Sequence, residues 1–209
     1  MIELLVKHQL NIMLALGSIC GMTAIYSLAC RSISVPRKNS LVGMELSAMV
    51  LVFADRYAYI YCGQVDPLGF FMTRVSNFLV FSMILGVIFF VNQYIKDLCI
   101  NEGRAEKIPS ILFINDELAA IGELLIIVSQ VTGIYYVFDN SNHYVRSPGY
   151  VVCYVIPVLM AIIEFTVVLK YYRLFRKKIF FPLVSFSVMP MAASVIQFFV
   201  YGISIINIS

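Results

Sequence analysis

The chain has 209 residues, 61% apolar and only 13% charged, with a net charge of +3 and a mean hydropathy of +0.89. That balance excludes an ordinary soluble domain and points to a polytopic membrane protein. A helix needs about 20 apolar residues to cross a bilayer, and its backbone groups must be satisfied within the segment, which leaves helices or a closed barrel. Barrel strands alternate in polarity over about 10 residues, and these runs do not alternate. The expected fold class is therefore all-α, a polytopic membrane helix bundle forming one transmembrane domain over 1–209.

Six apolar segments are expected to span, at roughly 9–30, 40–61, 74–95, 117–138, 149–171 and 179–203. The first is read as a retained helix rather than a signal sequence. Lys7 alone makes a weak basic start, the run is long for a signal core, and Arg31, Arg37 and Lys38 follow it. Eleven of the fifteen Lys and Arg fall in the first, third and fifth connections, at 31, 37, 38, 96, 104, 107, 170, 173 and 176–178. The other four are Lys7, Arg56, Arg74 and Arg146. By the positive-inside rule the odd connections are cytoplasmic and both termini lie outside. Basic residues placed by topology alone leave no surface for nucleic acid.

With its last residue outside a sixth helix, the chain is expected to be a heptahelical module whose seventh helix is missing at the C-terminus. The alternative is a complete six-helix protein. Pro157 and Pro190 fall inside the fifth and sixth segments, where a missing N–H and a ring clash kink a helix. The connection from Asp97 to Asp116 is expected to be a solvated loop. Cysteines 20, 30, 62, 99 and 153 are scattered with no metal or redox spacing, so unpaired packed thiols, no metal and no cofactor are expected.

Glu45, Glu123 and Glu164 lie inside apolar segments, where an ionised acid costs about 2.5–3.5 kcal/mol or more at mid-depth. All three are expected in the cytoplasmic third, Glu45 and Glu164 near basic residues of the inner face; a proton-linked cluster of the three is the alternative. Outer polar groups are denser. Asp55 and Tyr59 share a face of the second segment and Arg56 points about 100° away; Arg74 and Asn77 share a face of the third. The stretch YYVFDNSNHYVRSPGY (135–150) adds Tyr135, Tyr136, Asp139, His143, Tyr144, Arg146 and Tyr150. Asp55 with Arg74 is expected to be an ion pair pinning the hairpin between the second and third segments. A ligand pocket is expected from Arg56, Arg74, Asn77, Tyr59 and Arg146, whose guanidinium groups suit an anionic partner. No nucleophile motif, phosphate loop or catalytic acid pair is present, so no catalytic residue is assigned and the residues given are not expected to form an enzyme.

The segments IELLVKHQLNIML (2–14), MELSAMVLVFADRYAYIYCG (44–63), LGFFMTRVSNFLVF (68–81), HYVRSPGYVVCYVIPVL (143–159) and SVIQFFVYGISIINIS (194–209) resemble the N-terminal membrane input region of Gram-positive bacterial signalling proteins. These are chiefly diguanylate cyclases with a GGDEF domain. The resemblance implies a seven-helix sensor in the bacterial cytoplasmic membrane that responds to an external or membrane-derived signal and controls a cytoplasmic output domain. No GGDEF, EAL or HD-GYP signature occurs in the sequence. The partners this implies are the lipid bilayer, a second copy in a homodimer and a small extracellular or membrane-derived ligand. The competing readings are a small transporter or channel subunit, which should show paired broken helices in repeat halves, and a structural membrane subunit.

Overall fold

The computed structural model describes residues 2–102 and 106–171, with side chains from residue 8 onward. Five long helices follow in order: α1 (Ile2–Ala29), α2 (Val35–Tyr61), α3 (Pro67–Asn101), α4 (Ile111–Thr132) and α5 (Val152–Tyr171). Between α4 and α5 lie a two-stranded antiparallel hairpin, β1 (Tyr136–Phe138) and β2 (Tyr144–Arg146), and a 3-10 turn over Pro148–Val151. In β1–β2, Tyr136 pairs with Arg146 and Phe138 with Tyr144.

The helix ends follow local chemistry. Pro36 and Pro67 stand in the first turns of α2 and α3, where the missing N–H has no intrahelical partner to lose. Asp66 caps α3, its carboxylate accepting from Gly69 N at 3.3 Å. The turn between α2 and α3 passes through Gly63 at φ 79°, a conformation that favours a residue without Cβ. Gly133, at φ 67°, ends α4, its N–H donating to Ser129 O at 2.8 Å. Helix α5 runs through Pro157 without a break.

α2 packs along α3 and α1, while α3 also packs on α4 and α5. Close approach relies on small residues, as is usual for helices packed within lipid. A Cβ on Gly43 would lie 2.3 Å from the Phe90 ring, and one on Gly17 would lie 2.8 Å from the Phe53 ring. One apolar cluster, built on Val91, Ile95, Leu98, Leu112 and Val168, fills the end nearest the α3–α4 connection. A second, built on Leu85, Ile126, Tyr135, Tyr136 and Met160, fills the opposite half.

Polarity is inverted relative to a water-soluble bundle. Ser40, Ser47, Asp55, Thr73, Ser76, Ser82, Asn92, Lys96, Asn115, Ser129 and Glu164 are buried, whereas Met22, Ile25, Tyr26, Phe113, Leu124, Val131 and Leu159 are exposed. An apolar exterior of this extent needs a nonaqueous partner.

The expectation of six or seven spans is corrected. Among the described residues three helices, His8–Ala29, Pro67–Asn101 and Pro148–Tyr171 with its leading 3-10 turn, are long and apolar enough to cross a membrane. Helices α2 and α4 have the length but not the composition. Every 18-residue stretch of either holds at least three charged side chains, from Arg37, Lys38, Glu45, Asp55 and Arg56 in α2 and from Asp116, Glu117 and Glu123 in α4. The sixth segment, 179–203, with Pro190, the basic run from Arg173 to Lys178 and the last stretch of the resemblance, lies outside the described residues. Much of the expected 97–116 loop is helical, because α3 continues to Asn101 and α4 begins at Ile111. Three of its acids have partners: Asp116 pairs with Lys96, and Arg37 binds Asp97 at 2.7 Å and Glu102 at 2.9 Å.

Candidate functional site

The chain folds back and forth, so the α2–α3 turn and the β1–β2 hairpin meet at one end of the bundle. The hairpin tip is shaped by Asp139, whose Oδ1 accepts from Ser141 N at 2.9 Å and His143 N at 2.8 Å. This turn drives Asn142 to φ 59°, in the left-handed region that asparagine tolerates better than most residues. Fully buried there, its Nδ2 donates to Gln64 O at 2.8 Å, Thr73 Oγ1 at 3.0 Å and Tyr61 O at 3.3 Å. The backbone adds Gly63 N to Asn142 O at 3.2 Å. One side chain thus closes the hairpin onto both helices of the α2–α3 turn.

Arg74 sits at the rim of this clamp. It is exposed, it donates to Phe70 O at 3.0 Å and Asn142 Oδ1 at 3.5 Å, and its guanidinium lies 4.9 Å from the Phe138 ring centre and 5.2 Å from that of Phe70. The expected ion pair of Asp55 with Arg74 is not among the salt bridges of the described residues. Asp55 is instead buried in α2, while Arg74 reaches outward to Asn142 and Phe138 of the hairpin.

The other expected site residues go to different elements. Arg56 Nε donates to Leu10 O of α1 at 3.1 Å. Asn77 Nδ2 donates to Thr73 O of its own helix at 2.8 Å. Tyr59 is half-buried on α2. Arg146 lies 4.5 Å from the Tyr150 ring centre. Arg74, Asn142 and Phe138 are brought together; Arg56 and Arg146 are held by α1 and by the start of the fifth helix segment.

Beneath the clamp lies an aromatic layer. Phe81 of α3 stacks on Tyr136 at 5.2 Å and 15°, Tyr136 meets Tyr144 at 5.2 Å, and Tyr150 meets Tyr154 at 5.2 Å with their hydroxyls 2.6 Å apart. Gln130 Nε2 donates to the Tyr136 hydroxyl at 2.9 Å. Burial pushes the Tyr136 and Tyr144 hydroxyls up from their ordinary range, so both remain neutral donors or acceptors at physiological pH.

At the opposite end, Asn92 Nδ2 donates to Leu112 O and Asp116 Oδ1, both at 2.7 Å, and Gln93 Nε2 donates to Asp116 Oδ1 at 2.8 Å. Lys96, paired with Asp116, also lies 4.6 Å from the Phe113 ring centre. One residue before Asp116, Asn115 Nδ2 donates to Glu164 Oε1 at 3.1 Å. A polar seam therefore joins α3, α4 and α5.

The three acids of the apolar segments, Glu45, Glu123 and Glu164, are not placed alike. Glu164 is enclosed beside Asn115. Glu45 lies ten residues into α2 against Cys20 of α1, and Glu123 lies twelve residues into the 22-residue α4. Glu123 is farther from the start of its helix than its apolar run implied, because α4 begins at Ile111 rather than near 117. All five cysteines are free thiols, and among the described residues no three of His, Cys, Asp and Glu converge as metal ligands. No family model, curated protein or solved structure matches the chain.

Proposed function

We propose that the chain is a membrane-embedded sensory input module, with the hairpin end of the bundle outside the cell and the α3–α4 connection in the cytoplasm. The observation that carries this reading is Arg74, an exposed cation without a carboxylate partner among the described residues, held on the rim of the β1–β2 clamp. A small anionic ligand seated on Arg74 would touch Phe138 of the hairpin and Phe70 of α3 together. Binding would then favour whichever packing of hairpin against helix suits the ligand, which is the requirement for shifting a population between two states. Helices α4 and α5, which flank the hairpin in sequence, carry Asp116, Asn115 and Glu164 at the other end and provide a continuous path to the cytoplasmic side. The resemblance supplies the output, control of cyclic-di-GMP synthesis.

The test uses the protein as its gene encodes it, expressed in cells whose cyclic-di-GMP is quantified by mass spectrometry. Arg74→Gln should change the dinucleotide level while leaving the melting temperature of the purified protein within about 1–2 °C, as expected for an exposed substitution. An unchanged level, with solute flux in proteoliposomes that Arg74→Gln abolishes, would replace the sensor with a transporter.

A further inference from the structure

Ser82 and Glu123 meet near the middle of the bundle, beside a lateral opening. Ser82 lies 15 residues after Pro67 and 19 before Asn101, roughly 22 Å along α3 at about 1.5 Å per residue. The same helix is long and apolar enough to cross a membrane. Ser82 Oγ donates to Glu123 Oε1 at 2.5 Å. Next to this contact a groove of about 240 Å³ opens, lined by Ser82, Met83, Leu85, Phe89, Ala119 and Glu123. Elsewhere on α4, Ile121, Leu124 and Ile127 are exposed.

The wall of this groove is apolar except at one point. A serine hydroxyl has a single proton, here given to Oε1, so the second carboxyl oxygen is left for whatever enters. Glu123 has no salt bridge among the described residues. The other two acids differ: Glu164 is enclosed beside Asn115, and Glu45 contacts Cys20.

We infer that the groove binds an apolar molecule bearing an amine, entered from the lipid between α3 and α4. The nitrogen sits on Glu123 and the hydrocarbon body lies along Met83, Leu85 and Phe89. An ammonium with a carboxylate, and a neutral amine with a carboxylic acid, are the same pair with one proton moved. The match therefore holds wherever the proton resides. An alcohol offers one hydrogen bond and no charge to balance; a carboxylate would repel. This inference does not rest on the sensory reading and requires only that α3 lies in the membrane.

The test uses the full chain in phosphatidylcholine nanodiscs and an alkylamine carrying a mid-chain diazirine, with photolabelled residues mapped by mass spectrometry. Label is expected in the peptides spanning 82–89 and 119–124. Octylamine should reduce it at least fivefold, octanol at equal membrane concentration by less than twofold, and Glu123→Gln, which keeps an acceptor for Ser82, should lose it. Label spread evenly over the exposed faces of α1, α4 and α5, or equal competition by octanol, would overturn the inference without using any variant. Undiminished labelling of Glu123→Gln would overturn it as well.

Discussion

Asn142 and Thr73, 69 residues apart in sequence, are joined by a 3.0 Å hydrogen bond from the asparagine amide to the threonine hydroxyl, and both side chains are buried. Thr73 also donates to Gly69 O at 2.8 Å. The contact ties the β1–β2 tip to the first turns of α3, so the hairpin end behaves as one piece. Asn142→Ala removes the donor from Gln64 O, Tyr61 O and Thr73 and places a Cβ residue without a compensating amide at φ 59°. A loss of about 2–4 kcal/mol is expected from unsatisfied buried groups and left-handed strain together. Asn142→Gly keeps the backbone geometry without strain and should lose about 1–3 kcal/mol. Thermal unfolding in detergent should rank wild type above Gly and Gly above Ala, and the reverse order of the two variants would remove the strain argument.

Lys96 and Asp116 form a second long-range tie, with the lysine side chain 9% and the aspartate 29% exposed. Asp116→Asn should cost about 1–3 kcal/mol, between the values for exposed and buried pairs. Exchanging the two charges should not restore stability. Asn92 and Gln93 both present amide donors to residue 116, and a lysine there would face donors with donors. Full recovery in the exchanged double mutant would show that the pair acts as an isolated ion pair.

Gly43 packs directly on Phe90, leaving 2.3 Å for a Cβ that needs more than 3.0 Å. Gly43→Ala should therefore destabilise by about 1–3 kcal/mol. Phe90→Leu in the same chain should recover part of that loss by clearing the ring from α2. Equal melting temperatures for wild type and Gly43→Ala would show that α2 and α3 are farther apart.

The native cysteines report orientation. Cys62, exposed in the α2–α3 turn, and Cys30, at the end of α1, lie at opposite ends of the bundle. An impermeant maleimide applied to intact cells should modify Cys62, and Cys30 should react only after permeabilisation. The Ser32 hydroxyl, 3.1 Å from the Cys30 sulfur, with the Ser32 backbone holds that thiol below its usual range. More thiolate is then present at neutral pH, so Cys30 should alkylate at lower pH than an unperturbed cysteine. The opposite labelling pattern would invert the proposed topology.

The five helices were legible because apolar run length is a local property. Their ends were less so, since ends are set by contacts. Helix α3 continues past its apolar run to Asn101, with Lys96 and Asp97 finding partners on α4 and α2. Helix α4 stops at Thr132 because Gly133 turns left-handed, and what looked like its last turn, 133–138, becomes a loop and strand β1. The role of Asn142 left only a faint trace, the polar tip DNSNH, because its partners come from two distant helices. Arg74 and Asp55 looked like a pair on spacing alone; the hairpin supplied Arg74 with nearer groups. The span count failed because α2 and α4 carry at least three charged side chains in every 18-residue stretch, which a reading of apolar length passes over.

Hydrogen–deuterium exchange of the full chain in nanodiscs, comparing wild type with Asn142→Gly, tests the central claim most directly. A sensory module must carry a change at the hairpin to the cytoplasmic end. Loosening the clamp should therefore alter amide protection at 92–98 and 111–116, around Lys96 and Asp116, as well as at 61–74. Changes confined to 61–74 and 136–146, with the Lys96–Asp116 end protected as in wild type, would contradict it.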